Sequence, residues 1–116
     1  MEEKELIVQS VGELVLKKPA LIDGNEVKSI KYDFDELTGE DIETVFKEAI
    51  RSGYMVSSSY ELDPVIGGRM FAQAAGLDFN DIKRLKLKDY TEAAGIARAF
   101  FITDLDGDQE DQNLKK

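Results

Sequence analysis

Two stretches early in the chain, residues 13–17 and 27–32, alternate apolar with polar side chains, the two-residue period of a half-buried strand. Between them lies Ile22-Asp23-Gly24-Asn25-Glu26, whose Asp-Gly-Asn core is a hairpin turn signal. The pattern predicts a β-hairpin with Leu14, Leu16, Val27 and Ile30 on one covered face. A two-stranded ribbon is marginal alone, so that face needs helices or another subunit's strands over it. The period then lengthens. Thr38 followed by Asp41 has the form of a capping box, and Ile42, Val45, Phe46, Ala49 and Ile50 recur at helical spacing, predicting a helix over residues 39–52 that Gly53 ends. Residues 54–61 (YMVSSSYE) carry weak strand character and a serine run, and read as a loop.

Asp63-Pro64 supplies an N-cap and a first-turn proline for a second helix built on Val65, Ile66, Met70, Phe71, Ala74 and Ala75, stopping at Gly76. Gly67 and Gly68 weaken it by about 1 kcal/mol each relative to Ala, which points to either close packing at that point or a bend, with close packing the preferred reading. Asp78 is placed to cap a short helix over residues 79–85. Asp89 is placed to cap the last one, where Tyr90, Ala93, Ala94, Ala97 and Phe101 share a face open to another helix. After Ile102 apolar periodicity stops. The expected fold is therefore α+β: an N-terminal β-hairpin followed by a small bundle of three to four α-helices, with a disordered acidic C-terminal tail. The expected organisation is an N-terminal extension over residues 1–12, one domain over residues 13–102 and the tail over residues 103–116.

The 116 residues include no Cys and no His, which removes disulfides, thiolate ligands and the commonest general base. Of the net charge of -9, residues 1–63 hold 15 acids against 7 bases, while residues 64–102 hold 4 against 6. An acidic balance argues against general nucleic-acid binding, which needs cations against phosphate. The cationic cluster Lys83-Arg84-Leu85-Lys86-Leu87-Lys88 has no stacking aromatics beside it. It reads as a segment anchored by Leu85 and Leu87 with its lysines in solvent, or as a patch that meets the acidic N-terminal half of a neighbouring copy.

Asp104-Leu105-Asp106-Gly107-Asp108 begins like a calcium loop, but Gln109 stands where the turn requires Gly and Lys115 where a bidentate Glu belongs. Acid pairs such as Glu40-Asp41 are explained by helix starts. Ser57, Ser58 and Ser59 have no His partner, and no phosphate-binding glycine loop follows Gly67-Gly68. The inventory argues against an enzyme, a cofactor or a metal site. No run approaches the length of a membrane span, and the opening MEEKELIVQS is too acidic for a secretory signal, so a cytoplasmic location is expected.

The hairpin around Asp23-Gly24, the Thr38-Gly39-Glu40-Asp41-Ile42 helix start, Ala74-Ala75-Gly76-Leu77, then Ile82, Leu85, Leu87, Asp89-Tyr90 and Phe100-Phe101 together resemble the tail assembly chaperones of long-tailed bacteriophages. The likeness is to the small Mu-like group and covers roughly residues 13–102, with the YMVSSSYE segment as a departure. It implies a non-enzymatic protein of the bacterial host cytoplasm, absent from the mature virion. Multiple copies would coat the tape measure protein and recruit the tail tube protein; a homo-oligomer is a further expectation. Partner contact would fall on some of Ile42, Phe46, Met70, Phe71, Tyr90 and Phe101, although amphipathic helices ordinarily bury such a stripe in their own core. Two other readings fit size and charge: a small structural tail or head-completion protein that stays in the virion, and an acidic nucleic-acid mimic using residues 33–48.

Overall fold

The computed structural model describes the backbone of residues 10–115 and the side chains of residues 10–102. Strands β1 (Val11–Ile22) and β2 (Asn25–Asp33) form an antiparallel hairpin. Asp23 and Gly24 close it with φ of 54° and 82°, the pair of left-handed residues that a tight two-residue turn demands. Leu14, Leu16, Ile22 and Ile30 are buried, with Ala20 and Val27 partly buried against the same core. A regular ladder would put Val27 and Ile30 on opposite faces. Here the register shifts between Val15 and Ala20, so that residues 16–19 stand opposite Lys28 alone, and both apolar side chains reach the core.

That bulge leaves backbone groups without ladder partners, and Pro19 has no N–H to offer. The vacancy is filled from the far end of the sequence. The Asp89 carboxylate, 1% exposed, accepts from the Lys17 N–H at 2.9 and 3.1 Å and from the Lys18 N–H at 3.2 Å. The hairpin tip is also tied down, because the Asp23 N–H donates to Asp81 at 3.1 Å.

A single 3-10 turn (Phe34–Glu36) leads into α1 (Gly39–Arg51), which ends at Ser52 with Gly53 at φ 95°. The Asp41 carboxylate accepts from the Thr38 N–H at 2.8 Å, so the expected helix start is present. The connection from residue 54 is a loop, as its composition predicts, with one 3-10 turn (Tyr60–Leu62) before α2 (Pro64–Ala75). Asp63 caps α2 through the Val65 N–H at 2.8 Å, and Gly76 ends it at φ 69°.

Helix α2 is the centre of the molecule, with Ile66, Met70 and Phe71 buried. It packs on α4 (Leu87–Lys115). A Cβ at Gly67 would stand 3.0 Å from the Ala94 carbonyl, and one at Gly68 would overlap the Tyr90 ring. The glycine pair is therefore a close-packing site and not a bend. Ala93, Ala94 and Ala97 are buried beneath α2, as their small size allows.

Three expectations are corrected. The short helix α3 (Phe79–Ile82) stops before Leu85, which is buried in the following turn. Helix α4 starts at Leu87, so Asp89 lies in its first turn and caps the β1 bulge instead of the helix. The helix also runs on to Lys115, where loss of apolar periodicity predicted its end near Ile102. Apart from Gly107 the added residues break no helix, and one hydrogen bond per residue suffices to propagate one already nucleated. The calcium-like acids Asp104, Asp106 and Asp108 lie outside the described side chains, and residues 1–9 outside the described residues. Among the described residues no helix is long and apolar enough to cross a membrane.

Candidate partner-binding surface

The six residues expected at a partner contact do not form one patch. Met70 and Phe71 are 3% and 0% exposed and belong to the core, because α2 is covered by the hairpin on one side and α4 on another. Phe71 packs on Tyr32 with ring centroids 5.3 Å apart. Ile42, Phe46, Tyr90 and Phe101 are half-buried. Phe46, Tyr60 and Phe101 meet edge to face at 5.2 and 5.8 Å, tying α1 and the loop to α4. Phe100 stacks on Phe34 at 5.1 Å and extends the aromatic row to the hairpin. These rings hold elements together first, each pair worth about 1 kcal/mol beyond its burial.

Tyr90 has a second duty. Its hydroxyl donates to the Pro64 carbonyl at 2.8 Å while its ring covers Gly68, and burial pushes its pKa up to about 12. The other shifted groups also sit at joints. The Thr38 N–H and the Gln73 amide, 2.7 Å away, hold Asp41 below the usual carboxylate range. The Tyr54 hydroxyl is raised by its 2.5 Å hydrogen bond to Asp63, and Tyr32 is raised mainly by burial. Each of these perturbations follows from a cap or a packing contact. Among the described residues no group of three or more acids is gathered as a metal site would require.

A groove open to solvent lies beside Tyr90, with a volume of about 600 Å³. Tyr54, Val65, Phe79, Leu85 and Leu87 form its apolar wall, Arg69 and Lys83 supply its charge, and among the described residues no acid lines it. Leu87 is 78% exposed here, so it presents itself to solvent where the sequence predicts an anchor; Leu85 alone does that work. The Arg69 side chain is only 13% exposed and lies over the Phe79 ring at 4.3 Å. Its polar partners are poor. One terminal nitrogen reaches Ser52 at 3.3 Å, the other approaches Glu48 at 4.0 Å, and the buried Nε has no partner among the described residues.

Arg69 is the residue that pattern reasoning missed. It sits in an apolar helical stretch with a spacing typical of a solvated cation, and only the basic excess of residues 64–102 pointed toward this side of the molecule. Outside the groove, Val15 and Leu21 on β1 and Met55 and Leu62 on the long connection are exposed by 53% or more. No family model, no curated protein and no solved structure matches the chain.

Proposed function

We propose that the chain acts without catalysis as a tail assembly chaperone of a long-tailed phage. In this reading several copies cover apolar surface of a tape measure protein in the bacterial cytoplasm, bring tail tube subunits to it, and leave before the particle is finished. One observation carries the reading: the residues of the chaperone resemblance coincide with the joints of the fold. Asp23-Gly24 forms the hairpin turn, Asp89 holds the β1 bulge, Tyr90 seals α2 against α4, and Phe100 locks onto Phe34. Residues scattered through the chain thus serve a single architecture, as a family signature does. The exposed Val15, Leu21, Met55, Leu62 and Leu87 supply apolar contact area on a strongly acidic protein, a combination suited to masking a sticky partner in solution.

The test is co-expression with the long, coiled-coil-rich protein encoded immediately downstream, followed by affinity purification and light scattering. A soluble complex holding many copies of this chain per partner is expected, with the chain absent from purified particles by mass spectrometry. A folded chain that leaves the partner insoluble, and that is found in the particles, would replace the proposal with a structural tail or head-completion role.

A further inference from the structure

The Arg69 groove and the first residues of the chain are chemical complements. The groove is apolar with two cations on its lining. Residues 2–8 read Glu-Glu-Lys-Glu-Leu-Ile-Val, so carboxylates precede a short apolar run. Among the described residues Arg69 lacks a partner at Nε and is in contact with no carboxylate closer than 4.0 Å, although a guanidinium is built to take a carboxylate on two nitrogens. We propose that residues 2–8 of one copy occupy the Arg69 groove of a second copy, with a glutamate on Arg69 and Leu6, Ile7 and Val8 against Tyr54, Val65 and Leu87.

The position of Ser10 argues for a second copy over the chain's own groove. Its carbonyl accepts from the Phe34 N–H at 2.7 Å, which fixes the start of β1 on the hairpin side of the molecule. The hairpin packs on the Phe71 side of α2, through Tyr32. Arg69, two positions earlier, projects about 200° away around the helix axis. Residues 2–9 reach about 27 Å when fully extended. Rounding a helix about 10 Å thick and the groove wall consumes most of that length. A neighbouring copy has no such limit. The contact joins two different surfaces, so it builds open chains or rings and not a two-fold dimer. A protein of quite another function would associate in the same way, so this assembly stands apart from the chaperone proposal.

The experiment uses the full chain and two variants, Ile7→Asp in the N-terminal segment and Leu87→Glu at the groove, where high exposure spares the fold. Multi-angle light scattering of the natural chain should show mass rising with concentration and falling with added salt. Each variant should raise the apparent Kd by at least about tenfold, or about 1.4 kcal/mol, at an unchanged melting temperature. Mixed in equal amounts, the two variants should form a heterodimer that grows no further, because one intact segment then meets one intact groove. Monomers of the natural chain at every concentration, association that survives Ile7→Asp, or a mixture that stays monomeric would each overturn the proposal. So would a monomer in which Ile7→Asp shifts the Tyr54 and Leu87 amide signals, since that places the segment in its own groove.

Discussion

Asp89 and Arg69 are both charged, both 13% exposed or less, and both on helices that meet at Gly67 and Gly68, yet their surroundings differ. Asp89 faces backbone N–H groups of Lys17 and Lys18 within 3.2 Å. Arg69 faces an aromatic ring, a distant hydroxyl and a long ion pair. Burying a charge is costly unless it is paired and hydrogen-bonded. The first site meets that condition internally and is a structural joint. The second meets it only in part, and an incompletely paired cation beside an open apolar groove is what a binding surface looks like before its ligand arrives.

The difference predicts a ranking of substitutions. Asp89→Ala should have the largest effect, about 3 kcal/mol in urea unfolding, because it orphans two part-buried backbone donors. A loss below about 1 kcal/mol would mean that the bulge finds water or another acceptor. Gly68→Ala comes next, with a loss of about 2 kcal/mol from overlap with Tyr90. Gly95→Ala, on the same helix pair but with open space around it, should instead gain about 0.5 kcal/mol. Opposite signs at the two positions would separate packing from helix propensity.

Tyr90 offers a pH test. Its folded pKa, about 12, lies above the ordinary value of 10.0, so its contribution is complete below pH 10 and disappears as pH climbs toward 12. Because the side chain is only partly buried, a loss on the order of 1 kcal/mol is expected. Melting curves of Tyr90→Phe should lack that alkaline decline. The smallest effect belongs to Arg69→Met, which keeps the stem over Phe79 and removes a poorly paired charge. Stability should change by about 0.5 kcal/mol or less, whereas association measured by light scattering should fall. A loss comparable to that of Asp89→Ala would erase the contrast between the two sites.

Much of this fold is legible in the sequence because its cues are local. Asp-Gly makes the hairpin turn, Thr38 and Asp41 start α1, Asp63-Pro64 starts α2, and Gly76 ends it. The glycine pair and the row of alanines even announce where two helices touch. Asp89 misleads because an aspartate near a helix start has an ordinary local use, and its actual partners are 72 and 71 positions away. The bulge that recruits it has no local signal beyond Pro19. The groove is equally hidden: it is assembled from α2, α3, the loop after α1 and the start of α4, and periodicity within any one of them reports only on that element. The six apolar residues offered as contacts illustrate the same limit, since helical spacing finds a stripe but does not say whether another element already covers it.

The Asp89 bridge also sets an order of events on the ribosome. Lys17 emerges long before its partner, and at roughly 5–20 residues per second the 72 positions between them take about 4 to 14 seconds to synthesise. Until then the bulge amides of the hairpin have no acceptor, although α2, synthesised earlier, already brings Phe71 to Tyr32. The bulge is therefore closed later than the contact between hairpin and α2, and a nascent copy exposes its Lys17 and Lys18 amides to neighbours translated from the same message before its own Asp89 can take them.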